Sequence, residues 1–239
     1  MSKKVAIVQS NYIPWKGYFD LINSVDEFIL YDDMQYTKRD WRNRNKIKTK
    51  DGSKWITIPV QVKGKYYQKI IETEIADSDW NHTHWQFIRQ NYLKAKYFRE
   101  YQEIFEELYM SCQYSWLSKI NYHFIIGICQ ILGITTQITW SMNYKLVEGK
   151  TERLVDLCKQ AGAIEYISGA AAKNYLDEEL FEREGIKLTY IDYSNYPEYN
   201  QLFPPFDRAV SIIDLIFNEG RNATKFLKSF CSDNLNLYN

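Results

Sequence analysis

The chain has 239 residues, 45% of them hydrophobic, and its 30 basic and 30 acidic residues give a formal net charge of zero. These values predict a globular protein with a full core and exclude nucleic-acid binding driven by overall charge. The four cysteines form no CxxC pair, which argues against a structural zinc and against a disulfide framework. Because the longest apolar stretch, residues 124–134, is too short to span a bilayer and the N-terminus lacks an apolar leader, we expect a cytoplasmic protein without membrane insertion.

The N-terminal segment alternates between apolar runs and turn-forming residues. A β-branched run over residues 4–9 predicts a strand, and the polar segment SNYIPWKG leads from it to an amphipathic helix over 18–25. A second apolar run, 27–31, ends at Asp32 and Asp33. Strands that are apolar throughout fit a parallel sheet buried on both faces, so this segment predicts a βαβ unit.

The rest of the chain predicts a hairpin, a helical block and further strands. Residues 55–62 and 67–75 resemble a hairpin joined at 63–65, and three helices are expected to end at 95, 110 and 132. Strands follow at 137–141, 165–168 and 188–192, and helices at 151–161 and 206–218. This order predicts one α/β domain over residues 1–239, with a Rossmann-like, mainly parallel sheet flanked by helices, a helical insertion at about 76–135 and a frayed tail at 231–239.

Candidate ligand-binding residues gather at the predicted carboxyl ends of the first two strands, where open α/β sheets bind ligands. The loop after the first strand offers the N–H groups of a helix N-terminus to an anion, and Gly17 permits close approach; an ordinary βα turn is the alternative. Asp32 and Asp33 could bind a hydroxyl, an ammonium or a metal, or act as a base. Alternatively, one of them caps a turn and pairs with Lys38 or Arg39.

A basic run follows these carboxylates. Residues 36–54 hold eight basic and two acidic residues, a local charge of +6. The arginine and asparagine side chains within 38–46 suit phosphate and sugar oxygens, although such a run can also be a solvated face. The small-residue turn at Ser168 and Gly169 could cradle a second anionic group or simply pack a helix against the sheet.

Histidine is rare in this chain, with three residues, and no metal-ligand spacing connects them, so we expect no metal site. His84 is the best general-base candidate by residue type. It falls on an apolar helical stripe, however, where a histidine is commonly a core residue.

Several motifs together carry a family resemblance. The segments VQSNYIPWKGYFDLIN, FILYDDMQYTKRDWRNRNKI, DWNHTHWQFIRQNYLKAKYF and KTERLVDLCKQAGAIEYISGAAAKNYL occur in this order. Over about residues 4–220 the chain resembles the WbqC-like protein family, although Ser10 stands where that family usually has a proline. The matching motif positions are Gln9, Tyr12, Pro14, Gly17, Asp33, Lys38, Arg39, Trp41, Asn43, Arg44, Asn45, His84, Tyr92, Ser168, Gly169, Tyr175, Asp214 and Asn218.

The resemblance implies a role in bacterial surface polysaccharide (O-antigen) biosynthesis. It suggests N-acyl or N-aminoacyl (glycyl) transfer from a thioester, on coenzyme A or an acyl carrier protein, to a nucleotide-linked amino sugar, with no tightly bound cofactor. Apart from His84, Asp33, Asp214 and Asn218, we expect these motif positions, together with Asp32 and Lys46, to bind substrate, and residues 38–46 to hold the diphosphate. His84 or Asp33 would act as the base, and a backbone N–H near Gly17 or Gly169 would stabilise the oxyanion.

Two alternatives remain open. The strand and the PWKGY helix start also resemble nucleotidyltransferases with an HxGH loop, although Trp15 and Tyr18 stand near the expected histidine positions. Such an enzyme, or a nucleotide-dependent ligase, would hold its metal on Asp32 and Asp33. The other alternative is a non-catalytic protein that binds sugar nucleotides.

Overall fold

A computed structural model describes residues 3–231, which form a parallel sheet, a separate hairpin and flanking helices. The strands are β1 (Lys4–Val8), β2 (Glu27–Leu30), β3 (Arg44–Thr49), β4 (Gly52–Thr57), β5 (Gln137–Trp140), β6 (Glu165–Gly169) and β7 (Lys187–Ile191). The helices are α1 (Lys16–Asn23), α2 (Trp80–Tyr92), α3 (Phe98–Met110), α4 (Leu117–Leu132), α5 (Thr151–Gln160), α6 (Glu178–Arg183) and α7 (Ile212–Glu219). No helix among residues 3–231 is long and apolar enough to cross a membrane.

The main sheet has the order β5-β2-β1-β6-β7, and its strands are all parallel. The chain leaves β1 on the side of β2 and later crosses to β6 on the other side of β1. Connections therefore diverge between β1 and β6, and this topological switch point opens a crevice at the carboxyl ends of the two strands. The predicted α/β fold with a mainly parallel sheet is confirmed.

Alternate residues of each strand enter two different cores, as the period of two requires. Ala6, Phe28 and Ile167 pack in the larger core with α1, α7 and the three helices α2–α4. Val5, Ile29 and Tyr166 pack in the smaller core with α5 and α6. The uniformly apolar β1 and β2 therefore form because both of their faces are covered. Helices α2–α4 lie within the predicted insertion.

The predicted hairpin over 55–62 and 67–75 is wrong. The hairpin instead pairs β3 with β4 in antiparallel register, from Arg44 opposite Thr57 to Thr49 opposite Gly52. Gly52 has φ +92°, a conformation that favours glycine, which allows this tight reversal. Residues 67–75 contain a 3₁₀ turn over Ile70–Glu72 and isolated bridges. Strand β3 escaped prediction because its buried positions include Asn45 and Lys48 as well as Ile47, so it lacks an apolar alternation.

Helix boundaries also differ from the prediction in places. Helix α7 begins at Ile212, six residues after the expected 206, because Ser211 caps it by accepting a bond from the Ile213 N–H. The side chain of Gln201 binds both the N–H and the carbonyl of Asp207, which holds the preceding segment out of a helix. Helix α6 was not predicted; Asp177 caps it through the Leu180 N–H. Residues 232–239 of the predicted frayed tail lie outside the described residues, and the single-domain organisation stays a prediction.

Candidate functional site

A cleft of about 890 Å³ opens at the switch point. Its volume is in the range of about 300–1,000 Å³ that is typical of small-molecule sites. We call it the switch-point cleft. Strands β1 and β6 contribute their ends, and the segments after β2, β5 and β7 complete the walls. The polar and aromatic side chains that line it are Gln9, Tyr18, Tyr31, Arg42, Glu148, Lys150, Arg153, Tyr166, Ser168, Tyr175 and Tyr193.

Arg153 is fixed in the wall of the cleft by two contacts. Its Nη1 lies 3.0 Å from Asp33 Oδ2, and its Nε donates to the carbonyl of Val147 over 2.7 Å. Asp33 is itself buried and accepts a bond from Ser141 Oγ over 2.7 Å. A charged, hydrogen-bonded pair of this kind orients the guanidinium before any ligand arrives.

Arg42 supplies a second oriented guanidinium. Its Nη1 donates to Gln9 Oε1 over 2.7 Å, while its Nε lies 3.8 Å from Asp40 Oδ2. With Lys150, the cleft carries three cationic side chains, and Glu148 is the single carboxylate among the described residues that line it. This excess of positive charge, surrounded by tyrosine rings, favours an anionic ligand with planar or sugar groups.

The two adjacent aspartates have separate roles. Asp32 is fully buried and accepts bonds from the Ser10 N–H over 2.8 Å and from Ser118 Oγ. Burial raises the pKa of the Asp32 carboxyl. Asp32 therefore ties the loop after β1 to α4, whereas Asp33 orients Arg153. Neither carboxylate pairs with Lys38 or Arg39, the partners that the sequence suggested.

His84 lies in the larger core, away from the residues that line the cleft. Its Nδ1 is 2.9 Å from Tyr12 Oη, and its Nε2 is 3.2 Å from the carbonyl of Thr57. Burial lowers the pKa of His84 to about 4, so the imidazole is neutral near pH 7. Tyr12 is fully buried and also bonds Tyr109 Oη over 2.8 Å. The structure therefore places His84 away from the cleft and away from Asp33, the other candidate base.

The asparagines of the basic run hold the scaffold in place. Asn43 Nδ2 donates to the carbonyl of Ile58 over 2.8 Å. Asn45 Nδ2 donates to the carbonyls of Tyr12 and Ile13 over 3.1 and 2.9 Å. Ile13 has φ 37°, a strained conformation that Asn45 helps to maintain.

The charged side chains of the same run separate into two groups. Among residues 38–46, Arg42 alone lines the cleft. Lys38 and Arg39 are exposed, and the Arg44 guanidinium lies over the Trp55 ring at 4.0 Å. Lys46 Nζ lies 5.2 Å from the same ring, and Trp41 packs against it with 5.0 Å between centroids. Residues 38–46, which were predicted to hold the diphosphate, therefore contribute one cation to the cleft, and their other cations lie on or near the hairpin surface.

The remaining predicted positions divide between the cleft and the scaffold. Ser168, Gly169 and Tyr175 line the cleft, and a Cβ at Gly169 would meet no atom within 4 Å, so the space beside this glycine is open. A Cβ at Gly17 would instead lie 2.4 Å from the Trp15 ring, so this glycine permits internal packing rather than ligand approach.

Tyr92, another motif position, is buried in a hydrogen-bond network. Its Oη donates to Asp214 Oδ1 over 2.8 Å and accepts a bond from the Lys48 N–H over 2.9 Å. Pro14 lines a second cavity, beside the hairpin.

Sequence reasoning missed several cleft residues, among them Tyr31, Lys150, Arg153 and Tyr193. A signal for two of these was present. Lys150 and Arg153 flank the start of a helix that follows a parallel strand, and such helix starts lie at the ligand-binding edge of an α/β sheet.

Comparison with known proteins shows which family the sequence belongs to. The model of the WbqC-like protein family matches residues 9–226. The chain belongs to the WbqC-like protein family. An "Uncharacterized protein Rv1507c" of Mycobacterium tuberculosis (strain ATCC 25618 / H37Rv) is 54% identical to this WbqC-like chain over 226 residues, which cover 95% of the chain and 98% of the relative. No solved structure gives a significant match. The matched range contains Gln9, Asp33, Arg42, Arg153 and Ser168, so the polar framework of the cleft lies within the family region.

Proposed function

We propose that this WbqC-like protein is an enzyme of bacterial surface polysaccharide biosynthesis. In this proposal it transfers an acyl or aminoacyl group, such as glycyl, from a thioester to the amine of a nucleotide-linked amino sugar. The observation that carries the proposal is the pair of oriented guanidiniums, Arg42 on Gln9 and Arg153 on Asp33, in one tyrosine-lined cleft at the switch point.

The cleft suits a sugar nucleotide in charge and in shape. A diphosphate carries negative charge on several oxygens, and planar arginine forks bind such oxygens bidentately. Lys150 stands at the start of α5, where the unpaired N–H groups of the first turn add positive potential. Tyrosine rings such as Tyr31 and Tyr193 offer apolar faces to a base or a sugar and hydroxyls to their edges.

The proposed reaction needs no covalent intermediate with the protein. The amine nitrogen attacks the thioester carbonyl, a C–N bond forms, the C–S bond breaks, and the sulfur leaves as a thiolate, which receives its proton from the base afterwards. Glu148 accepts the proton that the amine loses, because it is the lining residue with a carboxylate. The Gly169 N–H stabilises the oxyanion, and Asp33 acts as a positioning residue for Arg153. His84, engaged at both ring nitrogens, has no part in this proposal.

The nucleotidyltransferase alternative is weaker for this chain because its metal would rest on Asp32 and Asp33. Asp32 is buried and bonded to Ser10 and Ser118, and Asp33 is bonded to Ser141 and Arg153. The two carboxylates therefore do not fit a shared metal.

A product assay tests the proposal. The purified protein is incubated with nucleotide-linked amino sugars and with acyl and glycyl thioesters, and mass spectrometry detects the N-acylated sugar nucleotide and the free thiol. Arg153→Gln is expected to raise KM for the sugar nucleotide, whereas Arg99→Gln, on the exposed surface of α3, leaves it unchanged. Absence of an N-acylated product with every donor class, or release of pyrophosphate from a nucleoside triphosphate, would overturn the proposal.

A further inference from the structure

A second cavity has a volume of about 310 Å³, and its lining residues are close in the chain to residues of the switch-point cleft. We call it the tryptophan cavity; Asn11, Pro14, Trp15, Trp41, Asn45 and Arg208 line it. Neighbouring residues of two segments face the two spaces: Gln9 and Arg42 line the cleft, whereas Asn11 and Trp41 line the cavity. The Trp15 ring also contacts the cleft residue Tyr193, with 5.2 Å between centroids. The two spaces are therefore neighbours, as the sites for two co-substrates must be.

The cavity combines flat apolar walls with one unsatisfied amide. Trp15 and Trp41 supply the rings. Asn11 Oδ1 is buried and has no hydrogen-bond partner among the described residues. A buried acceptor without a partner costs about 1–3 kcal/mol, so a rotation of the Asn11 side chain that brings Oδ1 from its buried position to a donor on a ligand in the cavity would be favoured. An asparagine amide can accept a hydrogen bond from the exocyclic amino group of adenine and donate one to the adjacent ring nitrogen. Asparagine recognises adenine in nucleic acids through the same pair of bonds.

Arg208 lines the cavity, and two further cations lie on the adjoining hairpin surface. Arg208 makes no ion pair among residues 3–231. The hairpin brings Arg44 and Lys46 to the Trp55 ring, and Trp55 packs on Trp41. The facing carboxylates are Asp40, whose Oδ2 lies 3.8 Å from Arg42 Nε, and Asp207, which accepts a bond from Ser53 Oγ over 2.6 Å. The unpaired Arg208 and the hairpin cations therefore offer charge to phosphate groups.

We infer that the tryptophan cavity binds the adenine nucleotide end of the acyl donor, a phosphorylated adenosine diphosphate of the coenzyme A class. The adenine ring packs between Trp15 and Trp41 with its amino edge on Asn11, and the phosphates contact Arg208, Arg44 and Lys46. The inference rests on the proposed acyl transfer and deepens it, because it assigns the donor to a soluble nucleotide thioester rather than to a carrier protein. The arm of the donor that carries the thioester then extends past Trp15 and Tyr193 into the cleft.

Calorimetric titration tests the inference directly. Coenzyme A and adenosine 3′,5′-bisphosphate are expected to bind the full chain. Trp41→Ala, Asn11→Ala and Arg208→Gln are each expected to weaken both ligands by about fivefold or more, through loss of base stacking, of a base hydrogen bond and of a phosphate contact, respectively. Trp41→Phe is expected to restore most of the affinity. Trp116→Ala, at a 45% exposed tryptophan elsewhere, serves as the matched control. Thermal melts show that each variant is folded.

The titrations also separate this inference from the proposed function. Binding of coenzyme A that survives Arg153→Gln, while uridine diphosphate binding weakens, supports two distinct sites. Equal affinity for an acyl-pantetheine without the nucleotide, or displacement of coenzyme A by uridine diphosphate, would overturn the adenine site. Adenosine 3′,5′-bisphosphate binding without acyl transfer would retain the site and reject the function. Acyl transfer from a carrier protein alone, with no binding of an adenosine nucleotide, would reject the adenine site and retain the proposed function.

Discussion

Asp33 and Arg153 form an ion pair, with 3.0 Å between Oδ2 and Nη1, that joins the segment after β2 to the first turn of α5. The carboxylate side chain is 3% exposed and the guanidinium 19% exposed. Removing one partner of such a pair leaves a buried charge unpaired. The stability lost in this way is larger than the net stability that the intact pair contributes. Arg153 lines the cleft and Asp33 does not, so the orientation of this cleft cation depends on a residue outside the cleft.

Asp33→Asn is expected to raise KM for the sugar nucleotide by roughly tenfold with little change in kcat, because the amide keeps the Ser141 contact but loses the charge that holds Arg153. Steady-state kinetics measures the two constants separately. If Asp33 acts through Arg153, the double variant Asp33→Asn/Arg153→Gln should resemble Arg153→Gln alone. A large kcat loss in Asp33→Asn, or additive effects in the double variant, would show that the carboxylate acts directly on substrate.

The sequence predicted the parts of the fold that depend on apolar periodicity. Strands β1 and β2 and helices α3 and α4 follow from burial patterns that are visible locally. Strand β3 does not, because Asn45 and Lys48 are buried through hydrogen bonds that no local pattern reveals. The site divides in the same way: Ser168 stands at a strand end and was predicted to lie at the site, whereas the pairing of Arg153 with Asp33 could not be predicted because 120 residues separate the two.

His84 shows the limit of residue type as a guide to chemistry. The residue type suggested a base, but the imidazole stabilises the core by bonding Tyr12 and Thr57. Its pKa falls from 6.5 to about 4 on folding, so the unfolded chain binds the extra proton first as pH drops. The stability that His84 contributes is complete above pH 6.5 and is lost as pH falls through about 4.

Chemical unfolding at several pH values measures this effect. The free energy of unfolding of the wild type is expected to fall by about 3 kcal/mol more than that of His84→Gln between pH 7 and 4. His82→Gln, at an exposed histidine two residues away, should retain the wild-type slope. Parallel slopes for the wild type and His84→Gln would show that this imidazole does not titrate with folding.

Gly17→Ala connects the packing of α1 to the tryptophan cavity. The added methyl group would lie 2.4 Å from the Trp15 ring, so the ring must move, and Trp15 is one wall of the cavity. Calorimetry should show weaker binding of coenzyme A and little change for uridine diphosphate. Gly162→Ala, at a glycine whose Cβ would meet no atom but whose φ is +69°, controls for general loss of stability. Equal loss of both ligands in Gly17→Ala would mean that the substitution disturbs the whole loop after β1.

Glu148→Gln tests the proton acceptor in the proposed reaction. The amide is nearly isosteric but cannot accept the amine proton, and general-base catalysis contributes about 10²–10⁴-fold to such rates. The expected result is a kcat lower by about a hundredfold or more with KM for the sugar nucleotide within about twofold, since binding rests on Arg42 and Arg153. Glu106→Gln, on the exposed face of α3, provides the matched control. Wild-type kcat in Glu148→Gln would remove this carboxylate from the mechanism, and the amine would then lose its proton to solvent or to the leaving thiolate.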